Sequence, residues 1–166
     1  MHYYFLSASL PALSPEEEPP MSSEAFAALC GGHLNAADMR ALHAVDGTGP
    51  SAASGHPFVR NWRNAERQLN NAVAEARAQR LRIDAQPFLE PATGYDVSTI
   101  SAVGEAFNRD NPWERERALH HLRWRRIDEI AGFDPFTSGA MLAYALKLRL
   151  LERWAQFDPQ AGSRKL

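Results

Sequence analysis

The sequence predicts an all-α protein, and three features of the chain support that fold class. Ala (27 residues) and Leu (17) far outnumber Val (5), Ile (4) and Thr (4), and the first two favour helices whereas the last three favour strands. Apolar residues recur at helical spacing in several stretches. Capping residues precede those stretches. With 166 residues, the chain predicts a single-domain helical bundle of five to seven helices over residues 1–166.

Residues 2–10 predict a short buried element, either a helix or a strand, that ends at Pro11. This opening lacks the basic start of a secretory signal, since no Lys or Arg precedes Arg40. Cys30 is the single cysteine, so no internal disulfide is expected. Both observations predict a cytoplasmic protein. No apolar run approaches the ~20 residues of a membrane span, so we expect no direct membrane insertion.

An acidic, proline-rich loop follows, and after it the sequence predicts a helix of about eight residues. Ser22 or Ser23 can cap its start, and the glycine pair that begins at Gly31 ends it.

Asn35 and Asp38 have the spacing of a capping box and open a second short helix that runs to about Val45. Residues 46–55 are rich in Gly and Ser and predict a flexible loop. We therefore describe residues 1–55 as a loop-rich N-terminal part with short helices.

Residues 56–158 predict a core of longer helices. The first of these runs from about Pro57 to Arg82, because one apolar stripe recurs at steps of three and four residues. The stripe consists of Phe58, Trp62, Ala65, Leu69, Val73 and Ala76.

Three more helices follow in this core. Val97, Ile100, Val103 and Phe107 mark a short amphipathic helix. The next helix has Asn111 as its cap and Pro112 in its first turn, and it ends at Gly132. The last helix is predicted to start at Asp134-Pro135-Phe136 and to run to Trp154. Because this last helix is apolar over a wide arc, we expect it to be the central core helix.

The residue patterns that are typical of catalytic and metal sites are absent from this sequence. The glycine-containing loop at 46–55 lacks the Lys of a phosphate-binding loop. None of the six histidines has a partner at the helical spacing that zinc requires. Cys30 falls at a helix C-terminus, whose dipole disfavours a thiolate. The sequence therefore predicts a protein that is not an enzyme and has no cofactor and no metal.

Charge is uneven along the chain, whose formal net charge is -2. Residues 1–59 carry six acids and one base, whereas residues 60–166 carry 14 acids and 17 bases. Of the 18 basic residues 16 are Arg, which reflects either a coding bias or selection of Arg for its planar, bidentate contacts.

The stretch 113–126 is basic with interleaved aromatic residues. Nucleic acid is one possible partner for such a stretch, but acidic residues punctuate the same helix, so no nucleic-acid partner is predicted. Two alternatives remain, an ordinary solvated helix face and a protein-docking face with Trp and Arg anchors.

Several segments, taken in their order, resemble a small bacterial family that is encoded beside subunits of V/A-type rotary ATPases and is distantly similar to their C (or d) subunit. These segments are YYFLSASLPAL, PPMSSEAF, NPWERERALHHLRWRRIDEI and FDPFTSGAMLAYALKLRLLERW. A full C subunit is longer and has several similar helical domains, so the resemblance implies a fold similar to part of it.

The resemblance implies a non-catalytic subunit or an accessory or assembly protein of a V/A-type ATPase. Its partners would be other ATPase subunits on the central stalk or rotor ring side, and it would sit peripherally on the membrane through that complex. The positions that match the family pattern and are candidates for protein binding are Tyr3, Tyr4, Trp113, Arg117, Trp124, Tyr144 and Trp154. Arg125, from the basic stretch, is a further candidate for protein binding. Core packing is the alternative role for each of them.

Two other functions stay open at this point. One is a cytoplasmic interaction protein unrelated to rotary ATPases. The other is a small helical metal-dependent hydrolase built around His33, His43 or His120.

Overall fold

The structure is a computed structural model that describes residues 2–49 and 55–157. Within those ranges the all-α prediction is confirmed, since the residues form α-helices and one short 3₁₀ helix, with no strand. The elements are α1 (Tyr4–Ser9), α2 (Ser23–Cys30), α3 (Ala36–Asp46), α4 (Pro57–Leu81), the 3₁₀ helix (Gln86–Phe88), α5 (Val97–Phe107), α6 (Pro112–Ala131) and α7 (Ser138–Ala155).

Contacts divide the chain into two compact units. Unit 1 comprises residues 1–60 and 127–166, and unit 2 comprises residues 61–126. The boundaries fall within α4 and α6. Unit 1 therefore joins α7 to the N-terminal helices, whereas the sequence pattern placed α7 with the long helices of 56–158.

The core of unit 1 forms around α7, which packs against α2 and α3. Seven of its residues are buried, so the prediction of a central core helix is confirmed. Burying each large apolar side chain contributes about 1.5–3 kcal/mol. Tyr144 is half-buried on this helix, where its ring lies 4.9 Å from that of Phe26 and its hydroxyl donates to the carbonyl of Pro11 at 2.9 Å.

The predicted caps of α2 and α3 are confirmed. The Ser22 hydroxyl accepts from the N–H of Ala25 at 3.0 Å, and the Asn35 side chain accepts from the N–H of Asp38 at 2.8 Å. Each bond satisfies an N–H group that has no partner within the helix. Short helices gain little stability from cooperative backbone hydrogen bonding, so they depend on capping bonds of this kind.

The predicted start of α7 at Asp134 is wrong, because Thr137 is the cap and accepts from the N–H of Ala140 at 3.1 Å. Asp134 instead accepts from the N–H of Phe136 at 2.9 Å and closes a turn. The carbonyl of Phe136 accepts from the N–H of Tyr3 at 2.7 Å. This pairing with the N-terminal segment keeps Phe136 outside the helix.

The N-terminal element is a helix, α1, but the prediction that it is buried is wrong for most of its length. Leu6 is its one fully buried residue. The neighbouring aromatic side chains are exposed to solvent, Tyr4 at 59% and Phe5 at 77%. Three-residue spacing places Tyr3 and Leu6 on the same, inward side.

Unit 2 has its own core, formed by parts of α4, α5 and α6. Its buried residues are Leu69, Ala72, Val73, Val103, Ala106, Phe107, Leu119 and Leu122. The cap predicted for α6 is confirmed, since the Asn111 side chain accepts from the N–H of Trp113 at 2.9 Å. Val97, predicted on the apolar face of α5, is 65% exposed because it is the first residue of that helix.

Side-chain amides of α4 hold the long connection to α5. Asn64 both donates to the carbonyl and accepts from the N–H of Thr93, each at 2.7 Å. Asn71 makes the same two bonds with Glu90, at 2.7 and 2.9 Å. An amide offers a donor and an acceptor together, so each of these side chains satisfies both backbone groups of one loop residue.

Part of the predicted loop at 46–55 lies outside the described residues, which omit 50–54. At its start α3 continues through Asp46, and Gly47 follows with a left-handed φ of 79°. Glycine adopts this conformation without the Cβ clash that other residues meet.

Candidate protein-docking surfaces

An exposed aromatic surface lies on unit 1 at α1, and we call it the N-terminal aromatic surface. Its residues are His2, Tyr4, Phe5, His33 and Phe136. Tyr4 stacks on His2 with 5.5 Å between ring centroids and contacts Phe136 at 4.7 Å. The rings of Phe5 and His33 lie 5.8 Å apart. Phe5 was missed as a site residue, although it directly follows Tyr4 in the sequence.

Tyr3 lies in the interior of unit 1 rather than on this surface. Its side chain is 6% exposed, and its hydroxyl donates to the carboxylate of Asp38. Asn35 donates from its side chain to the same hydroxyl at 3.2 Å and to Asp38 at 3.0 Å. Burial and the hydrogen bond to Asp38 raise the pKa of Tyr3, because both favour the protonated phenol.

A second surface feature of unit 1 is a groove of about 310 Å³ next to α1. Ser7, Leu10 and Pro11 line one side, and Phe133 and Lys147 are also in its wall. Phe133 is fully exposed. Lys147 is held there by an ion pair with Asp128. The wall thus combines apolar side chains with the Lys147–Asp128 ion pair and a second carboxylate, that of Asp134.

Unit 2 carries a basic groove between α5 and α6, with a volume of about 380 Å³. Two of the predicted residues, Arg117 and Arg125, are exposed and line it. The other polar residues of its wall were not predicted as site residues, and they are Glu105, Arg109 and His121. His121 lies four residues from both arginines, and this helical spacing was the available signal. Small and apolar residues complete the wall (Ala102, Ala106, Ala118 and Leu122).

The two tryptophans predicted as anchors lie elsewhere. Trp124 is 7% exposed, and its ring lies 6.3 Å from that of His120, which is also buried. Trp113 is half-buried at the start of α6. In the described structure these two rings are not among the residues that line the basic groove.

Other arginines of α6 serve the packing of unit 2. The guanidinium of Arg115 lies over the ring of Phe107 at 5.0 Å. Arg126 pairs with Asp96 at 2.8 Å. Burial alone would raise the pKa of Asp96, but hydrogen bonds from Thr99 and the charge of Arg126 lower it.

A polar cluster in unit 1 has the residue types of a hydrolase triad but not its order of bonds. His56 Nε2 lies 2.9 Å from the Ser138 hydroxyl, and its Nδ1 accepts from the N–H of Phe58 at 3.1 Å. The neutral ring therefore carries its proton on Nε2, facing the serine. Asp38 lies 3.9 Å from that same nitrogen, whereas a triad carboxylate holds the other one. Burial lowers the pKa of His56.

The remaining nucleophile and metal candidates have separate surroundings. Burial raises the pKa of the Cys30 thiol to about 12. Nδ1 of His43 lies 2.9 Å from the Thr48 hydroxyl, and His33 contacts Phe5. Over residues 2–49 and 55–157, no three His, Cys, Asp or Glu side chains come together as a metal site would require.

No helix in the described part of the chain is both long enough and apolar enough to cross a bilayer.

Comparison with known proteins gives one match. Residues 92–166 match the sequence model of a family described as "Protein of unknown function (DUF2764)". No curated protein matches the chain, and no solved structure matches it. The matched region includes α5, α6 and α7 and therefore the basic groove.

Proposed function

We propose that the chain is a non-catalytic subunit or an accessory or assembly protein of a V/A-type rotary ATPase, and that it acts by docking its helices on other subunits. The proposal rests on the resemblance of four ordered segments to the family encoded beside such ATPases. Two of those segments, at 111–130 and 133–154, lie within the region that the family model matches.

The observation that carries docking is the N-terminal aromatic surface. Tyr4 and Phe5 are consecutive residues of α1, and both have most of their area open to solvent, at 59% and 77% exposure. Aromatic side chains bury large areas at low entropic cost and are enriched among residues that dominate binding energy. Large exposed aromatic patches on a protein commonly mark a contact with a partner.

The short helix that presents these rings is fixed in place. The Ser7 hydroxyl donates to the carbonyl of Pro135 at 2.8 Å, and Tyr3 donates from its N–H to Phe136. A partner would thus meet a pre-ordered surface and lose less conformational entropy on binding.

The test is affinity purification of the tagged full chain from native membranes solubilised in mild detergent, with partners identified by mass spectrometry. We expect V/A-type ATPase subunits in constant ratio to the chain. The double variant Tyr4→Ser/Phe5→Ser should lose them. The control Tyr95→Ser/Val97→Ser removes two side chains that are 78% and 65% exposed in unit 2, and it should keep them.

Recovery of other proteins without any ATPase subunit would contradict the ATPase assignment and favour the unrelated interaction protein. Equal recovery with the Tyr4→Ser/Phe5→Ser variant would contradict the use of the aromatic surface.

A further inference from the structure

We propose that the basic groove between α5 and α6 binds an acidic helical segment of a partner protein, whose carboxylates pair with Arg109, Arg117 and Arg125. This inference goes beyond the ATPase proposal, because it concerns the chemistry of one groove and does not require a particular complex.

The arginines of α6 divide into two sets with different surroundings. Arg123 reaches Glu66 at 3.3 Å, and its side chain is 11% exposed. Arg126 reaches Asp96 with 25% exposure. Arg117 and Arg125, by contrast, are exposed and line the groove. Solvent and a partner can therefore reach these two guanidinium groups, whereas those of Arg123 and Arg126 are mostly buried in their ion pairs.

The charge of the groove is strongly positive for its size. Its wall holds three arginines and one carboxylate, that of Glu105. A surface with this excess attracts anionic side chains and selects against basic ones.

The spacing of the basic side chains fits a helix. Arg117, His121 and Arg125 follow at intervals of four residues, so their Cα atoms rise about 6 Å per step and about 12 Å in total. Carboxylates four residues apart on a partner helix have the same repeat. The small side chains of Ala102, Ala106 and Ala118 let such a helix approach closely.

The same charges would also attract nucleic acid, but the groove lacks a second feature of such sites. Single-stranded nucleic acid gains much of its affinity from bases that stack on aromatic rings. Among the residues that the structure describes, no aromatic side chain other than the His121 imidazole lines the groove, and Trp124 is buried. An acidic protein segment is therefore the better match.

The direct test is binding of a synthetic helix to the purified full chain by isothermal titration calorimetry. The probe is a capped alanine-based peptide with Glu at three positions four residues apart, and the control peptide has Gln at those positions. We expect the Glu peptide to bind at low ionic strength and to weaken at about 0.15 M salt, where the Debye length is about 8 Å. The Gln peptide should not bind.

Two variants locate the site. Arg117→Gln/Arg125→Gln should weaken binding roughly tenfold, since each exposed ion pair contributes a factor of about three to the affinity. The control Arg77→Gln/Arg80→Gln removes the same charge from exposed positions of α4 and should bind within about twofold of the wild type, because these residues do not line the groove.

A third variant guards against loss of folding as the explanation. Glu105→Gln removes the carboxylate from the groove wall and should strengthen binding roughly threefold. A misfolded protein would not gain affinity.

Three results would overturn the proposal. One is no binding of the Glu peptide at low salt, and another is equal weakening by the α4 control variant. The third is tighter binding of a single-stranded oligothymidine than of the peptide, which would identify a nucleic-acid groove. None of these results bears on recovery of ATPase subunits, so the two proposals fail independently.

Discussion

Replacing Tyr3 with Phe tests whether this residue stabilises unit 1 from inside. The change removes only the hydroxyl that donates to Asp38, which is 8% exposed. It also removes the acceptor for the side chain of Asn35. A hydrogen bond to a charged group contributes about 1.5–3 kcal/mol, so we expect the free energy of unfolding of unit 1 to fall by about 2 kcal/mol.

Cys30 provides a local assay for this loss. Its thiol is wholly buried and has a pKa raised to about 12, so a thiol reagent reaches it only when unit 1 opens. If reclosing is faster than labelling, a loss of 2 kcal/mol increases the labelling rate about 30-fold. Labelling with Ellman's reagent under native conditions measures that rate directly.

Tyr4→Phe is the matched control, because it removes the same atom from a side chain that is 59% exposed. Its labelling rate should stay within about twofold of the wild-type rate, since exposed hydroxyls lose little when replaced. Labelling of Tyr3→Phe at the wild-type rate would refute the assignment of Tyr3 to the interior, as would equal acceleration in both variants.

Three further predictions concern stability measured by urea unfolding. Leu142→Ala in α7 should lower the free energy of unfolding by about 2–5 kcal/mol, because this side chain is fully buried. Leu29→Ala should lower it much less, because Leu29 is 39% exposed. Equal losses would contradict the assignment of Leu142 to the core. Burial lowers the pKa of His56 in the folded state, so the unfolded chain binds the proton more readily and the free energy of unfolding should fall as pH drops below about 6.5. His56→Gln should make this pH dependence smaller. An unchanged dependence of the free energy of unfolding on pH would contradict the burial of His56. Asn71→Ala should lower the free energy of unfolding by about 1–2 kcal/mol, because it removes two hydrogen bonds to the backbone of Glu90. Asn61→Ala, at an exposed position of the same helix, should cost less, and equal costs would contradict the role of Asn71 in holding the loop.

Helix starts could be predicted where the capping bond is local. Asn35 and Asn111 bond to N–H groups only two or three residues ahead, so the sequence contains both partners within one window. The start of α7 depends on Tyr3, which is far away in the sequence and pairs with Phe136. The cap at Thr137 is itself local, since it accepts from the N–H of Ala140 three residues ahead. No local pattern signals the distant contact between Tyr3 and Phe136, which accompanies the exclusion of 134–136 from the helix.

The candidate surface on α1 was predictable in type but not in orientation. Composition identified an aromatic N-terminus, yet Tyr3 faces inward and Tyr4 outward. The spacing of Tyr3 and Leu6 gave a usable signal, because residues three apart share one side of a helix. Which side is buried depends on packing against residues 134–137, and this is a tertiary effect.

The amide residues that hold the loop in unit 2 show a similar limit. One side of α4 carries Asn64, Gln68 and Asn71. A polar stripe of this kind normally predicts a helix face exposed to solvent. Here the three amides bond instead to the backbone at Glu90, Thr93 and Asp96. A polar helix face and a loop-binding helix face have the same composition, so only the tertiary structure distinguishes them.

The excess of Arg over Lys has a structural explanation at several positions of α6. Arg115 uses its planar group to cover the ring of Phe107, and Arg126 reaches the half-buried Asp96. Lysine has neither the plane nor the fork of donors. Contacts within unit 2 therefore favour selection for Arg over a coding bias at these two positions.

Replacing the groove arginines with lysine distinguishes recognition by charge from recognition by the geometry of the carboxylate. If carboxylates of the bound helix are held by charge alone, Arg117→Lys/Arg125→Lys should bind the Glu peptide within about threefold of the wild type. If each carboxylate is gripped by two parallel N–H bonds, the same change should weaken binding as much as replacement by Gln. Because both side chains are exposed, water screens the pair and the first outcome is expected. Weakening to the level of the Gln variant would instead show that the groove recognises carboxylate geometry.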